Sequence, residues 1–135
     1  MVKVMFALTA FLMSSTVFAA TITADNIIGK YLVVASVPFQ KVKINFRVLS
    51  NKDFEIEQLN HDGSPEETCN GTYEIQSAET LFKGVFNCPS NRSKDVDFDI
   101  DFKGKTTDDL VAGTSVTVTT SLAPTKIKAT VIRVK

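Results

Sequence analysis

Tryptophan is absent from these 135 residues, histidine occurs once (His61), and cysteine occurs twice (Cys69 and Cys88). One imidazole with loop carboxylates at Asp62, Glu66 and Glu67 makes a poor zinc site, because catalytic zinc usually takes three protein ligands. The turn formers around His61 place it in an exposed loop, and neither a metal nor a cofactor is expected. No G-x-S-x-G elbow marks an organised nucleophile, so no catalytic residue is assigned and the chain is read as a non-enzyme. Lysine plus arginine and aspartate plus glutamate each number 15. That balance gives no electrostatic case for a nucleic-acid partner. Long apolar runs are also lacking: the single candidate, residues 4–13, is too short to span a bilayer stably.

That run has a different meaning. It follows Lys3 and leads into Ser14-Ser15-Thr16-Val17-Phe18-Ala19, which is a basic start, an apolar core and a small-residue end. Residues 1–19 are expected to be a secretory signal peptide cleaved after Ala19, with Val17 and Ala19 in the two small pockets of the peptidase. Cleavage after Ala20 would put bulky Phe18 in one of them. Residues 20–135 then form one domain of 116 residues with a formal charge of minus one, since Lys3 is the only charge removed. The expected location is secreted or periplasmic, with no membrane span. In an oxidising compartment Cys69 and Cys88 form a single disulfide.

From about residue 26 the hydrophobic pattern has period two. Val42, Ile44, Phe46 and Val48 share one face of one segment, and Val96, Phe98, Ile100 and Phe102 share one face of another. Eight strands are expected, over 27–36, 42–49, 54–59, 69–77, 80–88, 95–102, 115–121 and 126–134. Short polar turns join most of them, which predicts an all-β antiparallel up-and-down meander. Closing it into a small barrel removes the exposed edges; a two-sheet sandwich is the competing arrangement.

The cysteines fix one register. If they face each other, Gly71 pairs with Phe86, Tyr73 with Gly84 and Ile75 with Phe82. The other face then pairs Thr72 with Val85, Glu74 with Lys83 and Gln76 with Leu81, leaving Ala78-Glu79 as the turn. In the preceding hairpin, a loop of Ser50, Asn51 and Lys52 pairs Val48 with Phe54 and Phe46 with Ile56. Arg47 then faces Glu55 and Asn45 faces Glu57, whereas a one-residue slip would turn an apolar set outward.

Three segments break the plain alternation. Residues 106–112 predict a short helical turn, capped by Thr106 or Thr107 and stopped by Gly113. In the last strand Ile127, Ala129 and Val131 are out of phase with Ile132 and Val134. A bulge at Val131-Ile132 restores the phase; burial of both faces is the alternative. Asp95, Asp97, Asp99 and Asp101 resemble the start of a calcium loop, but Ile100 and Thr106 stand where such a loop needs a turn and a glutamate. A solvated acidic strand face is expected instead.

The segment Ile28-Gly29-Lys30-Tyr31 resembles the opening of lipocalin-type (calycin) barrels, which carry a glycine, one variable residue and a tryptophan; tyrosine takes the tryptophan's place here. The resemblance implies that Tyr31 closes one end of the barrel under Arg133, in a cation–π contact. It also implies a small apolar ligand in the cup, or an inhibitor-type protein acting through its rim loops. The ligand-facing residues on this reading are Tyr31, Phe46, Phe54, Tyr73, Phe86, Phe98 and Arg133. Two other functions fit the same scaffold. One is a module that binds a protein partner through loops 60–67 and 106–113; the other is an accessory domain of an envelope or surface assembly. An eight-stranded barrel is wide enough to enclose one ligand or to be filled by its own side chains, and the aromatic inward set serves either.

Overall fold

The computed structural model describes residues 20–37, 40–60, 62–76, 79–90 and 95–134. Eight antiparallel strands run in sequence order and close into a barrel: β1 (Gly29–Val37), β2 (Gln40–Val48), β3 (Asp53–Leu59), β4 (Pro65–Gln76), β5 (Leu81–Asn87), β6 (Val96–Asp101), β7 (Thr114–Thr120) and β8 (Ile127–Val134). Closure comes from β1 pairing with β8, where Tyr31 meets Arg133 and Val33 meets Val131. No edge is left for a further strand to join, as the expectation of a closed barrel required.

Both hairpin registers match the sequence reading. Gly71 pairs with Phe86, Tyr73 with Gly84, Glu74 with Lys83 and Ile75 with Phe82. Val48 pairs with Phe54 and Phe46 with Ile56. On the wet side Arg47 and Glu55 form an ion pair at 3.8 Å, and the Asn45 amide donates to Glu57 at 3.1 Å. The β2–β3 connection is a 3-10 turn over Ser50–Lys52, with Asn51 and Lys52 both at φ 64°. In the β4–β5 connection, residues 77 and 78 lie outside the described residues, and the positive φ of 52° falls on Thr80. The disulfide joins Cys69 of β4 to Cys88 just beyond β5, continuing the ladder register.

The strand alternation fills one half of the barrel with rings. Tyr73 stacks on Phe82 at 4.6 Å between centroids, while Phe54 meets Phe98 edge-on at 5.4 Å. Gly71 and Gly84 make room for these rings. A Cβ on Gly84 would stand 2.7 Å from Phe98, and one on Gly71 would stand 2.6 Å from Phe54. Below the rings the end is closed by Ile22 and Ile27 of the N-terminal segment and by Phe102 and Leu110, all buried. Thr23 and Asn26 hold that segment in a turn through reciprocal side-chain bonds of 2.7 and 3.3 Å.

The expected helical turn is α1 (Thr107–Ala112). Thr106 is its cap, in a capping box with Asp109, and Gly113 ends it at φ 96°. Beyond shifts of one or two residues at strand ends, three features differ from the sequence reading. The final strand has no bulge at Val131-Ile132: its pairing with β1 runs unbroken from Lys128 to Val134. Ile132 is instead half-buried on the outer side against Gly113, at the end of α1, so a helix covers the out-of-phase residue. The irregularity lies between Gln58 and Leu59, where the β3–β4 register shifts. Finally, β4 begins at Pro65 rather than at residue 69, which moves Glu66 and Glu67 from the loop onto a strand.

Candidate functional site: an apolar cup at one end of the barrel

Strand direction separates the two ends. The N-terminal segment, the 3-10 turn, the β4–β5 turn and α1 gather at the closed end. The C-terminal ends of β1, β3, β5 and β7 gather at the other. At that second end the barrel is hollow. A cavity of about 280 Å³ opens between the strands, lined by inward residues of all eight. Its floor is Phe46, Phe98 and Ile100, and its walls include Val33, Ala35, Ile44, Ile56, Phe86, Val118, Ile127 and Ala129. Gln58, Thr120 and the exposed Leu122 stand nearer the mouth, as does Glu67, which lies beside the disulfide.

The ligand-facing residues expected from the sequence divide between the two halves. Phe46, Phe86 and Phe98 line the cup. Tyr31, Phe54, Tyr73 and Arg133 lie in the closed half and do not line it. Arg133 sits over Tyr31 with 5.4 Å between its guanidinium carbon and the ring centroid. Tyr31 donates to the carbonyl of Ile27, and burial raises its phenol pKa while the Arg133 charge partly offsets that rise. Tyr73 is also raised, first by burial and then by the negative charges of Asp25 and Asp53.

The two candidate rim loops lie at opposite ends, so no single surface uses both. The β3–β4 loop stands beside the cup. In it Asp62 accepts from the Ser64 amide at 2.9 Å and from its hydroxyl at 2.6 Å, and these bonds lower the Asp62 pKa. His61 lies outside the described residues. Residues 106–113 stand at the closed end.

The acidic strand behaves as a solvated face with local partners. Asp99 pairs with Lys83 at 3.5 Å, Asp101 accepts from the Lys103 amide at 2.9 Å, and Asp95 and Asn87 bond each other. Among the described residues one cluster has metal-ligand spacing, formed by Glu67, Cys69 and Cys88. Both sulfurs are spent in the disulfide, so neither is a thiolate ligand.

Sequence reasoning missed Glu67. Its position in a run of turn formers hid a strand, although counting back from Cys69 by twos puts residue 67 on the inward face. The fold and the site thus define a closed eight-stranded antiparallel barrel, plugged at one end and hollow at the other. No family model, curated protein or solved structure matches the chain.

Proposed function

We propose that this protein is a non-enzymatic binding protein of a secretory or periplasmic compartment, holding one small apolar ligand in the hollow half of the barrel. The observation that carries the proposal is the cup itself, an opening walled by aliphatic and aromatic side chains from every strand but β4, which contributes Cys69 and Glu67. Its 280 Å³ is roughly twice the ~150 Å³ of an apolar cavity that takes up benzene. That scale suits a bicyclic or short branched compound. The disulfide fits an oxidising compartment, and among the described residues no helix is long and apolar enough to cross a membrane. Arg133 over Tyr31 at the closed end agrees with the resemblance to lipocalin-type barrels and supports the same reading.

The test is a fluorescence titration of the oxidised protein with naphthylethanol, a neutral bicyclic probe. One-site saturation is expected, and it should vanish in Ala35→Phe, whose new ring would occupy the cup from β1. Loss of binding with an unchanged melting temperature places the probe inside. No saturable uptake, or equal uptake by the Phe variant, defeats the proposal and directs attention to a protein partner at the β3–β4 loop.

A further inference from the structure

Along the eight strands the inward positions are apolar or uncharged, with two exceptions. Arg133 is one, and it is engaged at the closed end by the carbonyls of Asn26 and Ile28. Glu67 is the other, and among the described residues it is the only charged one that lines the cup. It stands opposite Gln58 in the β3–β4 ladder, one inward position above Cys69. A carboxylate oxygen lies within 4.8 Å of both disulfide sulfurs, on the cavity wall.

Its orientation is fixed. The Ser90 amide donates to one Glu67 oxygen at 3.1 Å and the Ser90 hydroxyl to the other at 3.3 Å. An ionised carboxylate has about four acceptor sites, so these two bonds hold the group in place and leave it able to accept more. The ion pairs among the described residues are Arg47–Glu55 and Lys83–Asp99, and neither involves Glu67.

We infer that the ligand is a small amphiphilic cation, an arylalkyl amine in chemical class, with its hydrocarbon body in the cup and its ammonium group on Glu67. This rests on the cup reading above. The arrangement matches both ends of such a molecule. The deep half of the cavity offers carbon, and the Glu67 carboxylate lies at the mouth, where an ammonium keeps part of its hydration and avoids the full cost of burial. An anionic amphiphile of the same shape would bring its charge against Glu67 and bind less well. A neutral one would lack the attraction between opposite charges.

Three probes that share a naphthyl body separate the possibilities: naphthylethylamine, naphthylethanol and naphthylacetate, each titrated into the oxidised protein at low and at high salt. The amine is expected to bind about fivefold more tightly than the alcohol, since its ammonium meets the carboxylate as an ion pair whereas the hydroxyl is neutral. The acid should bind weakest, and the spread should narrow as salt rises. In Glu67→Gln the preference for the amine over the alcohol should disappear. Equal binding of all three by the unaltered protein, or a preference for the acid, overturns the inference and leaves the cup reading standing. Failure of all three to bind removes both. An amine preference that survives Glu67→Gln also overturns it, assigning Glu67 to latching the Ser90 loop alone.

Discussion

Arg133, near the end of the last strand, lies across Tyr31 near the start of the first, with its guanidinium carbon 5.4 Å from the ring centroid. The same guanidinium donates to the carbonyls of Asn26 at 2.9 Å and Ile28 at 2.6 Å. Gly29 allows that approach, because a Cβ there would stand 3.0 Å from an Arg133 nitrogen. One side chain therefore ties the closing strand pair to the N-terminal segment that plugs the barrel.

Arg133→Ala should cost about 2–4 kcal/mol, from two charge-assisted bonds and the cation–π contact together. Arg133→Lys should recover only part of it, because a point charge cannot address two carbonyls and a ring face at once. Urea unfolding of the three proteins measures this. A loss below about 0.5 kcal/mol in the alanine variant, the level of an ordinary surface change, would show that the plug holds without Arg133.

The two glycines under the rings give a graded prediction. At Gly84 an added methyl meets the rings of Phe98 and Phe54, whereas at Gly71 it also overlaps the backbone carbonyl oxygen of Val85. Rings shift more readily than a ladder carbonyl. Gly84→Ala should therefore cost about 1–3 kcal/mol, in the range of overpacked cores, and Gly71→Ala should cost more. Phe54→Ala, at a residue only 1% exposed, should cost about 3–5 kcal/mol. Phe86→Ala should cost less, since Phe86 is half-buried and its removal widens the cup. Denaturation midpoints of the four variants give the order, and a reversed glycine order would contradict the register.

Why the register was legible and the cup was not follows from particular residues. Cys69, Tyr73, Glu74, Lys83, Gly84 and Cys88 constrain one hairpin from both faces, so a single alignment satisfies all of them. Inward-facing residues, by contrast, are the same set whether an eight-stranded barrel is filled or hollow. Depth along the axis decides which, and a period-two pattern carries no depth. Phe46 and Phe98 became a floor, and Phe54 and Tyr73 became packing below it, because the large rings meet at one level. Pro65 concealed the start of β4, since proline reads as loop yet is tolerated at the first residue of a strand. Ile132 suggested a bulge because nothing in strand periodicity announces that α1 lies over the outer wall.

The disulfide spans a sequence separation of 19 residues beside the mouth of the cup. Removing it as Cys69→Ser with Cys88→Ser should cost roughly 3 kcal/mol, the loop-closure value for a ring of this size. The loss should exceed that of Glu67→Gln, which leaves the covalent tie intact. A double variant as stable as the parent in urea would mean that the β4–β5 ladder alone orders this end.

Alkaline pH offers a test of the closed half. Tyr31 and Tyr73 both have phenol pKa values raised by burial, and Asp25 and Asp53 add to the rise at Tyr73. In the unfolded chain both phenols titrate near 10. Above that pH the unfolded state sheds protons that the folded state retains, so rising pH draws the equilibrium toward unfolding. Stability should be intact below pH about 10 and fall as pH rises from there through the raised folded values. Among the described residues there are no free cysteines, so thiol exchange does not obscure the measurement. Tyr73→Phe should flatten the fall, because one of the two ionising groups is gone. Near neutrality the same variant should lose at most about 1 kcal/mol, since its hydroxyl makes only a long bond of 3.4 Å to the Leu49 carbonyl. Urea midpoints measured across the alkaline range for both proteins decide the matter. Parallel curves would mean that Tyr73 ionises equally in the folded and unfolded chain, and that the closed end admits water to its phenol.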